Sequence, residues 1–203
     1  MTVKVSNFEK DGNILSFDIS GVEVKIVNAF RRTIISQVPT IAIEQVTFLY
    51  NSSILNDENL AHRLGMVPLT TDLKTYVPMS ECKCEGKGCG RCVCLLTMDV
   101  TGPRTLYSGD LISKDESVKP VFDKIPLVKL GPEQHVKIEA EARLGTGREH
   151  IKWQGGTAAY EVKDKDTYHV MVESYGPLQV EELVKTAFDV VEAKIKQVKD
   201  KVH

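Results

Sequence analysis

One amphipathic stretch of the sequence reads VKIVNAFRRTIISQVP, residues 24–39. Its apolar positions recur at steps of three and four residues, the spacing of one helix face: Val27, Phe30, Ile34 and Val38. We therefore predict a helix over Val24–Val38 that ends at Pro39, because proline cannot continue a helix. Ile26 and Ile35 widen the apolar stripe. A stripe of this width predicts a second packing surface, which a partner chain can supply.

A second long helix is predicted at the carboxyl end, after a Gly-Pro turn. Apolar residues again follow at steps of three or four over residues 180–202: Val180, Leu183, Val184, Ala187, Phe188, Val191, Ile195, Val198 and Val202. A stripe of about six turns is longer than a short amino-terminal hairpin can cover. This favours contact with another chain, although the periodicity alone equally allows packing on the helix's own sheet.

Most of the remaining chain favours β-structure. An amino-terminal hairpin is predicted from alternating apolar residues at 3–8 and 14–19. The further predicted strands are 41–50, 93–100, 119–121, 127–130, 136–144, 157–161 and 167–173. A short helix through Leu60, Ala61 and Leu64 is predicted between the N-cap candidates at residues 56–59 and Gly65. The middle of the chain is thus expected to form a small β-rich domain.

The composition excludes several classes of protein. The 203 residues carry 26 Lys and Arg against 28 Asp and Glu, a formal net charge of −2, so no global positive field holds nucleic acid. No run of eighteen apolar residues is present, which excludes a membrane-spanning helix. The amino end lacks the basic start and apolar stretch of a secretory signal, so we expect a reducing, cytoplasmic location.

Cysteine is the one unevenly distributed residue type. All five cysteines lie within residues 82–94, in a loop that also contains three glycines. Two close cysteine pairs joined by a turn can place four sulfurs around one zinc ion. The ligands that we predict for a closed, structural zinc site are Cys82, Cys84, Cys89 and Cys92. Cys94 fits a buried strand position, although it is also a possible substitute ligand.

Other interpretations of the cysteine loop remain open from the residues alone. An iron–sulfur cluster is less favoured, because the spacing matches neither common ferredoxin series. Free or redox-active thiols are a further alternative. A free-standing metal-binding or redox module could also touch nucleic acid weakly through Lys83, Lys87 and Arg91.

The sequence contains no recognisable catalytic motif. It has no phosphate-binding GxxxxGK[ST], no HExxH and no GxSxG, and its five histidines are scattered. The pair Arg31-Arg32 on the first predicted helix is more typical of an interface that reaches a partner's carboxylates than of an anion clamp.

Three motifs carry a resemblance to a known family. They are NAFRRTIIS followed by VP within residues 28–39, NLAHRLGMVPL at 59–69, and HIKW at 150–153. In this order they resemble the D subunits of archaeal RNA polymerases. That family is similar to the third-largest subunit of eukaryotic RNA polymerase II and to the amino-terminal domain of the bacterial alpha subunit.

The resemblance implies an α+β fold of two interleaved domains. A dimerisation domain, consisting of a sheet and two main helices, is expected from residues 1–40 and 151–203. A β-rich domain with the zinc loop 82–94 is expected to be inserted at residues 41–150. The implied function is that of a non-catalytic assembly platform, within an enzyme complex whose nucleotidyl transfer occurs on other subunits.

The resemblance also implies partners. The smaller L subunit would pack against the two long helices, at Val27, Phe30, Ile34, Leu183, Val184, Ala187 and Val191. The second-largest catalytic subunit would face Arg31, Arg32, His62 and Arg63. The small zinc-containing subunits N and P would complete the assembly, and no direct DNA binding is expected.

The chain departs from the family pattern at one place. Many archaeal D subunits carry an additional cysteine-rich domain with iron–sulfur clusters, inserted roughly where this chain runs from Tyr160 to Tyr168. No cysteine lies in that segment here. The family's cluster is therefore not carried over to this sequence.

Overall fold

The computed structural model describes residues 2–201, so Val202, the predicted end of the last helix, lies outside the described residues. Three α-helices form within this part of the chain: α1 (Val24–Ser36), α2 (Asp57–Gly65) and α3 (Val180–Lys201). The strands are β1 (Lys4–Asp11), β2 (Ile14–Ser20), β3 (Pro39–Asn51), β4 (Val93–Thr101), β5 (Arg104–Tyr107), β6 (Ile112–Ser113), β7 (Pro126–Leu130), β8 (His135–Thr146), β9 (Gly156–Asp164) and β10 (Thr167–Ser174). The fold is α+β, as predicted.

The chain divides into two compact units. The first contains the described residues before Thr40 together with those after Gly145, and the second is the continuous segment between them. The first unit therefore joins two segments that lie far apart in the sequence. Each unit has its own sheet.

The first unit is built on a four-stranded antiparallel sheet in the order β1-β2-β10-β9. Its central strands pair Phe17 with Val170 and Ile19 with Tyr168, and all four of these side chains are buried. Because side chains alternate along a strand, these residues share one face of the sheet. That face is the one that the helices cover.

Helices α1 and α3 supply the other half of this core. Five of the predicted interface residues are buried there, inside the chain: Val27, Phe30, Ile34, Leu183 and Ala187. Phe30 stacks on Phe188 of α3 with ring centroids 4.2 Å apart, and it meets Phe17 of the sheet edge-on at 6.4 Å. Aromatic pairs of this kind contribute beyond the area that they bury. The two helices are thus joined to each other as well as to the sheet.

The second unit contains a sheet in the order β3-β8-β4-β6 and a hairpin of β5 with β7. Strand β4 pairs antiparallel with β8 from Val93–Arg143 to Thr101–His135. Leu60 and Leu64 of α2 are buried in the same hydrophobic core. The helix begins as predicted, since the Asn56 side chain accepts a hydrogen bond from the backbone N–H of Asn59.

Three details differ from the sequence-based prediction. The strand predicted at 119–121 is only an isolated bridge between Leu69 and Pro120, because proline has no N–H to extend a ladder. The short strands β5 and β6 were not predicted, since four and two residues carry too little alternation to detect. Helix α1 ends at Ser36, two residues before the predicted end.

The face of the first sheet opposite the helices carries a buried carboxylate, Asp18 of β2. Its oxygens accept hydrogen bonds from Asn7 Nδ2 at 2.7 Å, from His169 Nδ1 at 2.7 Å and from Lys163 Nζ at 3.0 Å. Hydrogen bonds from Asn7, His169 and Lys163 hold the pKa of Asp18 well below its usual range. The cluster links all four strands, because its members come from β1, β2, β9 and β10.

The Asp18 cluster predicts how stability changes in acid. A carboxylate whose pKa is lowered in the folded state stabilises the fold above its unfolded pKa of about 3.9 and loses that contribution as the pH falls below it. We expect the melting temperature of the wild-type chain to fall more steeply between about pH 4 and pH 2.5 than that of Asp18→Asn, measured by circular dichroism. Asp18→Asn should also be the less stable protein at neutral pH.

The control for this prediction is Asp189→Asn, on the exposed side of α3. The melting temperature of this variant should depend on pH as that of the wild type does. Equal steepness of the wild-type and Asp18→Asn profiles would contradict the stabilising role of the charged cluster.

Candidate metal centre

The cysteine loop consists of two tight backbone turns. In the first, the N–H of Glu85 donates to the carbonyl of Cys82. In the second, the N–H groups of Cys92 and Val93 both donate to the carbonyl of Cys89 at 2.9 Å. Gly86 and Gly88 between the turns have φ values of +81° and +75°, a left-handed conformation that glycine adopts without steric cost. Each turn thereby directs two cysteine side chains toward the other turn.

Four sulfurs converge between the turns. The Sγ atoms of Cys82 and Cys89 lie 3.5 Å apart, those of Cys84 and Cys92 also 3.5 Å, and those of Cys89 and Cys92 3.8 Å. All four ligand atoms lie within 4.8 Å of one another. Ligands about 2.3 Å from a tetrahedral ion are separated by about 3.8 Å, so this arrangement can hold one metal ion.

The protonation of these thiols depends on their neighbours. Hydrogen bonding with Cys82 lowers the pKa of Cys84 to about 7. Burial raises the pKa of Cys92 to about 12. The thiolate, rather than the thiol, is the metal ligand. A bound cation is therefore needed to bring the whole set into the thiolate form at neutral pH.

The loop is tied to the second unit at its end. The N–H of Val77 donates to the carbonyl of Arg91 at 2.9 Å, and Cys92 is completely buried immediately before β4 begins. Lys83 and Arg91 line a cavity of about 140 Å³ together with three of the cysteines. Cationic side chains so close to the sulfurs can offset part of the charge of four thiolates.

Cys94 lies outside the sulfur cluster. It occupies β4 opposite Ala142, is 2% exposed, and its sulfur lies 3.3 Å from Ser113 Oγ. This is the buried strand position that its sequence context indicated. The cluster that the structure brings together is the set of four cysteines that the spacing predicted as ligands.

The residues predicted to bind a partner differ in how far they are buried. Val184 and Val191 of α3 are half-buried, in contrast to the five buried residues described above. On α3, the apolar residues with the greatest exposure are others: Phe188 at 43%, Ile195 at 53% and Val198 at 63%. These three residues also belong to the apolar stripe that the sequence predicts. They differ from Leu183 and Ala187 of the same stripe because they are exposed in the structure.

The four predicted contacts to a large subunit lie in different units. Arg31 and Arg32 are on α1 of the first unit, where Arg31 Nε donates to Asn28 Oδ1 at 3.1 Å. His62 and Arg63 are exposed on α2 of the second unit, and Arg63 Nη2 donates to the Pro126 carbonyl at 3.0 Å.

Fold and site together define an α+β protein whose second unit carries a closed four-cysteine loop. A comparison with protein families matches residues 42–162 to the RNA polymerase Rpb3/RpoA insert domain. This match spans more than half of the chain. The chain therefore belongs to the Rpb3/RpoA family of RNA polymerase subunits.

Curated relatives agree with this assignment. The chain is 44% identical over 159 residues to DNA-directed RNA polymerase subunit Rpo3 of Methanosarcina mazei, covering 78% of this chain and 60% of the relative. It is 46% identical over 153 residues to Rpo3 of Methanothermobacter thermautotrophicus, covering 74% and 58%, and 42% identical over 163 residues to Rpo3 of Thermococcus kodakarensis, covering 80% and 61%. The matches thus span about three fifths of the length of these relatives.

Residues 2–201 contain no helix that combines the length and the apolar character required to cross a membrane.

The geometry of the cysteines makes a prediction about metal content. Cys89→Ser should reduce the bound metal from about one ion per chain to below about half, because three thiolates and a weaker hydroxyl cannot complete the tetrahedral set. Cys94→Ser is the matched control and should retain the metal. Both are measured by elemental analysis of protein purified without chelator.

Loss of metal in Cys94→Ser with retention in Cys89→Ser would show that the ligand set is different. Less than about half an equivalent in the wild type would show that the loop is no metal centre.

Proposed function

We propose that this chain is a non-catalytic assembly-platform subunit of a DNA-directed RNA polymerase. The observation that carries the proposal is family membership combined with identity of more than 40% to three Rpo3 subunits over most of this chain. Nucleotidyl transfer would take place on the large subunits, so the chain would belong to an enzyme without supplying its catalytic residues.

The domain organisation proposed for this role follows the sequence interpretation. Residues 1–40 and 151–203 form a dimerisation domain, and residues 41–150 form an inserted domain with the loop 82–94. The division into a discontinuous unit and a continuous unit supports this organisation. The first unit supplies the partner surface, and the second extends the platform.

The proposed partner of the first unit is the L subunit. Val27, Phe30, Ile34, Leu183 and Ala187 fill the chain's own core, so in this proposal they hold the helices in place beneath the interface. Val184 and Val191 are half-buried and remain accessible to a partner. The interface would extend from Val191 to the exposed Phe188, Ile195 and Val198. Exposed apolar residues repeated along one helix are typical of an obligate interface.

Further subunits would dock elsewhere on the chain. The exposed Arg32 with its neighbour Arg31 on α1, and the exposed His62 and Arg63 on α2, suit contact with the second-largest catalytic subunit. The small subunits N and P would join this assembly. We place the complex in the cytoplasm, where transcription requires it.

The ion proposed for the four cysteines is structural zinc. Four thiolates in a tetrahedron, with no open position for substrate, are typical of such sites. An iron–sulfur cluster is disfavoured because all four sulfurs lie within 4.8 Å of one another, which suits one ion, whereas a cluster distributes its ligands over two or more irons. Zinc would couple its binding energy to the ordering of the glycine-rich loop.

The heterodimer can be tested with a surface substitution that leaves the core intact. Ile195→Asp places a charge on the exposed stripe of α3, where burial against a partner would desolvate it. We expect this variant to stay folded and monomeric but to lose co-purification with a co-expressed archaeal L subunit on size-exclusion chromatography.

The matched control is Ile112→Asp, because Ile112 is 68% exposed in the second unit. It should co-purify with the L subunit as the wild type does. If Ile195→Asp forms as much heterodimer as the wild type, the proposed interface on α3 is wrong. If the wild type itself does not bind the L subunit, the proposed heterodimer is wrong.

A further inference from the structure

Helix α1 and the carboxyl-terminal turns of α3 are rich in basic residues, although α3 as a whole contains five lysines and five acidic residues. The sequence of α1 contains Lys25, Arg31 and Arg32 and no acidic residue. In α3 the last eight residues, 194–201, contain four lysines against the single Asp200. The chain as a whole has a formal net charge of −2. Positive charge is therefore concentrated on α1 and on residues 194–201 of α3.

The lysines of α3 stand on both sides of its exposed apolar stripe. Successive helical residues are separated by about 100°, so Phe188, Val191, Ile195 and Val198 fall within roughly one quarter of the helix circumference. The same geometry places Lys194 and Lys201 on one side of that stripe. It places Lys196 and Lys199 on the other side, with the exposed Glu192 between them.

Within the described residues, Lys25 of α1 forms an ion pair with Glu23 at 2.7 Å, whereas the lysines of residues 194–201 form none. Lys194 Nζ donates to Gln37 Oε1 at 2.5 Å, a neutral partner. Among residues 2–201, no carboxylate lies within ion-pair distance of Lys196, Lys199 or Lys201. An apolar stripe with charged residues along its edges is the pattern by which paired helices select their partners.

We propose that this face selects an acidic amphipathic helix of a partner protein and that its lysines disfavour pairing between two copies of the chain. The proposal rests on the proposed function for the identity of the partner, the L subunit. Acidic residues along the edges of the partner helix would pair with the lysines around a shared apolar core. Two copies that paired through residues 194–201 would bring like charges together, since this segment carries four lysines against one acidic residue.

The apolar stripe favours a protein over a nucleic acid as the occupant. Nucleic acids are bound through phosphate contacts, which lysines alone can supply. Phe188, Ile195 and Val198 give no such contact, and their exposed apolar surface suits an apolar partner surface.

The test is charge reversal on α3. The variant Lys194→Glu/Lys196→Glu/Lys199→Glu is compared with Lys119→Glu/Lys124→Glu/Lys129→Glu, which makes the same change in net charge at exposed positions of the second unit. Affinity for the purified L subunit is measured by isothermal titration calorimetry. We expect the α3 variant to bind at least about tenfold more weakly at low salt and the control to bind like the wild type.

Salt provides an independent measurement. Wild-type affinity should fall by about tenfold or more between about 50 and 500 mM NaCl, and the α3 variant should lose that dependence. Analytical ultracentrifugation of the wild type alone should show a monomer at both concentrations.

Several results would overturn the inference. They are equal binding by the α3 variant and the wild type, equal loss in both triple variants, or a wild-type homodimer at low salt. Displacement of the L subunit by a short DNA duplex at about 150 mM salt would indicate a nucleic-acid surface instead. If the wild type binds no L subunit, the proposed function fails; if it binds with no dependence on the lysines, only this inference fails.

Discussion

Strand β2 pairs with strand β10 along seven residue pairs, although Phe17 and its partner Val170 lie about 150 positions apart in sequence. This pairing joins the two segments of the first unit that lie far apart in the sequence. Loop closure over such a length costs conformational entropy, which the contacts on both faces of the sheet help to offset. On one face Phe17, Phe30 and Phe188 form a continuous aromatic contact, and on the other Asp18 links all four strands.

The second unit is stabilised by other means. Its sheet and α2 form a conventional hydrophobic core, but the loop 82–94 has few apolar residues with which to fold. Four convergent sulfurs provide an alternative, because metal binding can replace the missing burial. The arrangement also limits chemistry, since four protein ligands leave no position for a substrate. This agrees with the structural role that we propose for the metal in an assembly subunit.

The parts of this structure that the sequence predicted are those with a local pattern. The period of α1 and α3 and the spacing of the cysteines are visible within a few turns or residues, so both helices and the four-cysteine cluster were predicted. The Asp18 cluster was not, because its members come from four strands and meet only after the sheet closes. Periodicity also could not show what covers an apolar face. Leu183 is buried by its own chain and Ile195 is exposed, although both belong to one stripe.

The central claim is that the first unit presents its helix layer to a partner while the second unit does not depend on that contact. Hydrogen–deuterium exchange of the chain alone and with the L subunit tests this most directly, because it reports protection segment by segment. The account predicts slower exchange in residues 188–201 on binding and unchanged exchange in the core strands β4 and β8. Unchanged exchange in residues 188–201, with protection appearing only in the second unit, would contradict it.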